Sequence, residues 1–208
     1  MNAEIKRVPT TREGTKAWYD KISGYYDLVG IIENRFKVPA LEMAGIKEGE
    51  RVLEVGCGTG WALERIARLV GESGKAYGLD LSPKMLDVAR GRLEKVGLMS
   101  RVELVEGDAT RMEFPNDMFD VVFASFTLEL FDTPDIPVLL TEIMRVLKPG
   151  GRFVDVSISR ERVDILIRAY EWVHDRLPQY VDCRPIYVER SLKRAGFRIA
   201  SAKRVALG

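Results

Sequence analysis

From Arg51 onward the chain alternates short apolar runs with stretches whose apolar residues recur at helical spacing, and a glycine-rich turn closes the first run. Arg51–Val55, Lys75–Asp80, 101–106, 119–124 and 152–159 read as strands. Residues 61–70, 83–96 and 136–147 read as amphipathic helices, with Ser82 and Pro83 as N-cap and first-turn proline of the second. Lys148-Pro149-Gly150-Gly151 stops the third. Further helices are expected near 161–177 and 186–195, and FRIASAKRVALG (197–208) reads as a last strand. Strands separated by helices of this length need crossover connections. The pattern therefore predicts a doubly wound, mostly parallel α/β sheet covered on both faces. The first 45 residues, with Trp18, Tyr19, Tyr25, Tyr26 and Phe36, read as helices packed over one end of that sheet.

Composition narrows the function classes. A chain of 208 residues with 46% apolar content buries a core as one domain. The net charge of +1 implies no polyelectrolyte role, although acids dominate residues 1–144 and bases dominate 145–208. That basic end reads as a solvated surface or as a patch for an anionic substrate or membrane headgroups. It lacks the aromatic interleaving of a nucleic-acid groove. No apolar run is long enough for a membrane span. The polar start lacks the apolar segment of a secretory signal, which points to the cytoplasm. Two cysteines and one histidine, His174, exclude a disulfide framework and a His-rich metal site, so no metal is expected. His174 shares its helix with Trp172 and reads as an amphipathic surface residue.

In such a sheet, ligands bind beyond the carboxyl ends of the strands, at the switch in strand order. The first strand-to-helix turn is Glu54-Val55-Gly56-Cys57-Gly58-Thr59-Gly60-Trp61. A dinucleotide fingerprint needs a small residue where Trp61 stands. The pattern present is G-x-G-x-G, with an acid two residues before it. Asp80 ends the second strand, where a carboxylate accepts from both hydroxyls of a ribose. Asp108 follows the third and could take the exocyclic amine of an adenine. Either acid alone reads as a helix cap. Together with the glycines, acids at three strand ends suit an adenosine ligand without phosphates.

The order VLEVGCGTG (52–60), GLDLS (78–82), GDAT (107–110), FDVVFASFTLEL (119–130) and LKPGGRF (147–153) resembles the class I S-adenosylmethionine-dependent methyltransferases. WYDKISGYYDLVG (18–30) is similar to the opening of the ubiquinone/menaquinone-biosynthesis methyltransferase group. The resemblance implies a Rossmann-like methyltransferase fold, with S-adenosylmethionine as cofactor and S-adenosylhomocysteine as product. It divides the single domain 1–208 into an N-terminal helical lid (1–45), a cofactor-binding core (46–159) and C-terminal helices with the last strand (160–208). It also implies that Glu54 helps bind the methionine amino group, and that Gly56, Gly58 and Gly60 let the loop pass the amino-acid portion. Cys57 is a small residue lining that turn. Asp80 would hold the ribose, Leu81 and Met85 the adenine face, and Asp108 and Ala109 the adenine edge. Ser125 and Phe126 would lie near the transferring methyl, with Tyr19 and Tyr26 closing the lid or packing in the core.

The acceptor side is less legible. Residues 124–127 lack the Asn/Asp-Pro-Pro-Tyr/Phe of amino-directed nucleic-acid enzymes and the Pro-Cys of cytosine-C5 enzymes. A small-molecule, quinone-precursor or lipid-like acceptor is therefore expected. Thr127, Glu129 and Asp132 follow the fourth strand, and Glu129 reads as a base, a polar orienter or a loop acid. Arg184 would grip an anionic acceptor or satisfy backbone carbonyls. The family's final antiparallel strand is missing from the recorded sequence, so either the chain is truncated or the sheet has six strands. An exposed edge would favour a homodimer. The alternatives are an NAD-dependent oxidoreductase, opposed by Trp61, and a non-catalytic cofactor-binding scaffold subunit.

Overall fold

The computed structural model describes residues 11–24, 26–161, 176 and 184–205, with backbone alone over 26–32. Helices α1 (Arg12–Ile22) and α2 (Tyr26–Ala44) precede β1 (Arg51–Val55), α3 (Trp61–Leu69), β2 (Lys75–Asp80) and α4 (Pro83–Lys95). Then come β3 (Val102–Glu106), β4 (Phe119–Ser125), α5 (Asp135–Val146), β5 (Leu147–Val156) and α6 (Val188–Arg194). The sheet order is β3-β2-β1-β4-β5 and every pairing is parallel. Strand order reverses between β1 and β4, which makes their carboxyl ends the switch point.

Each face of the sheet carries its own core. On one, Val52, Val121 and Phe123 pack with Leu63 and Ile66 of α3, Leu93 of α4 and Ala44 of α2. On the other, Leu53, Val55 and Val122 pack with Leu139, Leu140 and Ile143 of α5. Neighbouring strand residues fall on opposite faces, as the period of two requires. The helix starts follow their caps. Ser82 Oγ accepts from Met85 N–H at 3.1 Å with Pro83 in the first turn, and Thr11 Oγ1 accepts from Gly14 N–H.

Two boundaries differ from the sequence reading. Lys148–Gly151 does not merely end a helix; it loops out of β5, whose Leu147 pairs with Phe119 and whose Arg152 pairs with Val121. Lys148 Nζ holds the loop to Asp120 Oδ1 at 2.6 Å, so the glycines serve a bulge. The expected last strand is absent over its described part, 197–205, which joins no ladder. Period-two burial is present there, with Ala195, Phe197 and Ile199 less exposed than their neighbours. Phe197 packs on Phe153 with ring centroids 5.5 Å apart, and Arg204 pairs with Glu189 of α6. Side-chain packing replaces strand pairing, and the sheet has five strands among the described residues. The helix expected near 161–177, with Trp172 and His174, lies outside the described residues except at 176.

α1 has no buried residue and is held across the sheet by polar contacts. Arg12 pairs with Asp108, Lys16 with Glu106, and Asp20 Oδ1 accepts from Ser82 Oγ at 2.6 Å. Their spacing of four places all three on one helix face, above the ends of β2 and β3.

Close packing fixes the start of α3. Gly60 adopts φ +77°, and a Cβ there would lie 2.9 Å from the Cβ of Ala89 on α4. Gly60→Ala is expected to destabilise the protein by about 1–3 kcal/mol in urea unfolding. Adding Ala89→Gly should recover only part of the loss, because the backbone strain remains.

Candidate active site

The turn after β1 hooks over the end of β2. Gly56 and Cys57 N–H both donate to Leu79 O, at 2.8 and 3.1 Å. Gly58 N–H donates to Asp80 Oδ2 at 2.7 Å, and Asp80 Oδ1 accepts from Ser82 N–H at 2.9 Å. Asp80 thus couples the glycine turn to the start of α4. Burial pushes its carboxyl above the usual range, while those amides oppose the rise. Gly56 has φ +67°, and a Cβ on it would meet Thr127 Oγ1 at 2.6 Å. Thr127 Oγ1 itself donates to Val55 O or Ser125 O, each 3.1 Å away. The turn and the segment after β4 therefore interlock across the switch point.

Above this junction lies a cavity that opens to solvent. Glu54, Gly56, Cys57, Gly58 and Asp80 form its floor. Leu81, Met85, Asp108 and Ala109 line one flank, and Ser125 and Phe126 another. Tyr19 of α1 closes it with Arg12 and Thr15, at spacings that place all three on the helix face toward the cavity. Gly60 is not on the lining; its close contact is with Ala89 of α4. Tyr26 lies in α2, and its side chain is outside those described.

The two residues expected to carry chemistry do not line the cavity. Glu129 is 0% exposed and turns away from it, accepting from Ile158 N–H at 3.2 Å. Arg184 is 3% exposed, with its guanidinium donating to Phe131 O and to Thr133 Oγ1 at 3.1 Å. It braces the wall of the cavity by satisfying a carbonyl, the second role that its sequence position allowed. Thr127 and Asp132 do reach the lining, with Leu130, Phe131 and Asp135.

Sequence reasoning missed Lys37. This lysine is 9% exposed and lines the cavity from α2, with Nζ 3.0 Å from Glu33 Oε2 and 5.9 Å from the Phe126 ring centroid. Its signal was present, since Lys37 falls on the buried stripe of Ala40, Leu41 and Ala44. Phe126 follows β4 with φ +52°, a conformation costly for an aromatic residue, and its ring meets Phe36 edge-on at 6.2 Å.

Glu54 is 2% exposed and its Oε2 accepts no hydrogen bond. Burial raises its carboxyl to about 8; Lys37 opposes that rise and Asp80 adds to it. An orphaned acid beside a buried lysine suits a ligand with an ammonium group. A Cβ on Gly58 would meet nothing within 4 Å, so the loop leaves space beside it. The cavity residues therefore fit a nucleoside carrying an amino-acid end. Cys57 is 5% exposed, and burial, then Asp80 and Glu54, pushes its thiol well up, away from the thiolate form that a nucleophile needs.

Residues 52–151 match the family described as "Methyltransferase domain". The ubiquinone/menaquinone biosynthesis C-methyltransferase of Pseudomonas fluorescens is 32% identical over 174 residues, which are 80% of this chain and 67% of that protein. The enzyme of the same name from Teredinibacter turnerae is 32% identical over 158 residues, 74% and 63% of the two chains. The chain thus spans about two thirds of these relatives. Among solved structures, a SAM-dependent methyltransferase from Aquifex aeolicus has a TM-score of 0.62 at 27% identity, over 79% of this chain and 81% of that one. A putative methyltransferase from Bacillus halodurans has a TM-score of 0.69 at 29% identity, over 79% and 70%.

The raised acid makes a testable statement about stability. Folded Glu54 keeps its proton to about pH 8, whereas an unfolded glutamate loses it near 4.5. The folded state binds more protons between those values, so the stabilising contribution present below pH 4.5 is lost as pH rises to 8. Urea unfolding of Glu54→Gln should show a shallower decline over this window, by up to about 1.4 kcal/mol per pH unit. An unchanged slope would mean that Glu54 is ionised at neutral pH.

Proposed function

This chain belongs to the class I S-adenosylmethionine-dependent methyltransferases, and on that premise we propose that it methylates a small, apolar or aromatic acceptor of the quinone-precursor or lipid-like kind. The observation that carries this is the cavity wall. Tyr19, Phe126, Leu130 and Phe131 surround the space beside the glycine turn, which favours a flat or apolar acceptor. The relatives' name, ubiquinone/menaquinone biosynthesis C-methyltransferase, is consistent with such an acceptor.

In this reading Asp80 takes the ribose hydroxyls through the lone pairs left after Gly58 and Ser82. Asp108 and Ala109 meet the adenine edge, with Leu81 and Met85 on its face. Glu54 receives the α-ammonium and Lys37 the α-carboxylate of the amino-acid end. When bound, the cofactor supplies a sulfonium methyl group as the electrophile. The protein's part is to orient the acceptor in line with that methyl and to exclude water. Ser125 and Phe126, on the flank that they line, would lie near the transferring methyl, and Tyr19 of α1 would cover the cavity. Arg12 holds Asp108 and sits 3.5 Å from Asp135 Oδ2, which keeps α1 seated over the site. The carboxylates on the wall facing the acceptor are Asp132 and Asp135, since Glu129 faces away. The chain is read as one domain, acting in the cytoplasm, with pairing of two copies along a sheet edge as its assembly. No helix among the described residues is long and apolar enough to cross a membrane.

Calorimetric titration with S-adenosylmethionine, S-adenosylhomocysteine and NAD is the first test. Binding of the first two alone is expected, and binding of NAD alone would overturn the reading. Lys37→Met should weaken S-adenosylhomocysteine by tenfold or more, about 1.4 kcal/mol, while leaving 5′-methylthioadenosine, which lacks the amino-acid end, within threefold. Equal losses for both ligands would remove Lys37 from the carboxylate.

A further inference from the structure

Behind the cavity wall lies a second pair of acids that the transfer reaction does not touch. Glu129 sits in the turn Leu128–Leu130, whose neighbours Thr127, Leu130, Phe131 and Asp132 line the cavity. Asp155 stands on β5, opposite Ala124 of β4. Glu129 Oε1 accepts from Ile158 N–H at 3.2 Å, and Asp155 Oδ2 accepts from Ser157 Oγ at 2.7 Å. The remaining oxygens, Glu129 Oε2 and Asp155 Oδ1, are buried and accept nothing.

Two buried carboxylates without a cation are not a stable arrangement. Among the described residues neither acid forms an ion pair. Arg184, on the segment that runs beside β5, donates to Phe131 O and Thr133 Oγ1. Arg160 lies 5.9 Å from the Tyr187 ring centroid, and Glu161 accepts from Ser159 Oγ at 2.6 Å. Ser157 has one hydroxyl proton, which serves Asp155 and cannot serve Glu129 at the same time. The missing donor is supplied if the acids keep a proton between them.

We propose that Glu129 and Asp155 share a proton and in that form act as positioning residues, clamping the cavity wall 127–132 to the end of β5. The ionised pair would repel across the joint and free the wall. The other ties of this wall, Phe126 N–H to Val156 O at 2.7 Å and Arg184 to Phe131 O, lie on either side of the pair. Burial raises Glu129 to about 8, with Asp155 adding to the rise, and burial raises Asp155 to about 7. On this proposal the shared proton is released as pH rises through the range spanned by those values. The effect on ligand retention rests on the methyltransferase reading; the shared proton does not.

The test compares the parent with Glu129→Gln, Asp155→Asn and Glu129→Ala between pH 6.5 and 9. Thermal unfolding is one readout. Titration with 5′-methylthioadenosine is the other, chosen because it leaves Glu54 and Lys37 unengaged. The parent should lose at least tenfold in affinity over this range, and its Tm should fall. Glu129→Gln, whose amide carries donor hydrogens at any pH, should hold its affinity within threefold and show a flatter Tm profile. Asp155→Asn should do the same. Glu129→Ala should bind weakly at both ends of the range. Parent-like pH profiles in both amide variants, or parent-like affinity of Glu129→Ala at pH 6.5, would overturn the proposal. Failure of the parent to bind 5′-methylthioadenosine or S-adenosylhomocysteine at pH 6.5 would overturn the methyltransferase reading and the retention effect. The unfolding profiles would still decide the shared proton.

Discussion

Three main-chain amides in the turn after β1, those of Gly56, Cys57 and Gly58, are held by two acceptors at the end of β2, Leu79 O and Asp80 Oδ2. This arrangement needs β1 and β2 to be parallel neighbours in register, with Val55 opposite Leu79. It also needs Gly56 to pass so close to Thr127 that no side chain fits between them. One set of hydrogen bonds thus joins the first crossover, the start of α4 and the segment after β4. The cavity exists because these three pieces meet at the switch in strand order. Its lid follows from the same geometry. Only where the ends of β2 and β3 lie side by side can Ser82, Glu106 and Asp108 meet successive turns of α1.

Buried acids run through the whole upper end of the sheet. Asp80 is stabilised by amides, Glu54 lies near a lysine, Glu129 accepts from the Ile158 amide and Asp155 from the Ser157 hydroxyl. Because desolvation favours the neutral form of a carboxyl, these acids keep their protons to higher pH than surface acids do. Among the acids that line the cavity, burial raises Glu54 to about 8 and lifts Asp80 above the usual carboxylate range, so Glu54 adds negative charge there as pH rises toward 8.

The parallel sheet, its face-by-face packing and the position of the glycine turn were legible in the sequence because they depend on local periodicity. Val52 and Leu53 alternate between two cores, and Ser82 with Pro83 marks a helix start, whatever the rest of the chain does. The clustering of Glu54, Asp80 and Asp108 was legible too, since a parallel sheet brings successive strand ends to one edge. Where a side chain points inside a turn was not. Leu128, Glu129 and Leu130 are adjacent, yet Leu130 lines the cavity while Glu129 faces β5. A short irregular segment has no period from which to read its faces.

What the sequence determined by itself is the set of elements and the order in which they are laid down, because strand and helix patterns, caps and glycine turns act within a few residues. The tertiary structure decided which charges are buried and against what. Lys37 is one polar residue on a helix until α2 packs beside β4 and β5 and turns it toward Glu54. Arg184 becomes a brace only when its segment reaches Phe131, some fifty positions earlier in the chain. The residues of FRIASAKRV alternate as a strand would, but they join no ladder among the described residues, and Phe197 packs on Phe153. Burial and pairing depend on partners distant in sequence, and only the folded chain brings those partners together.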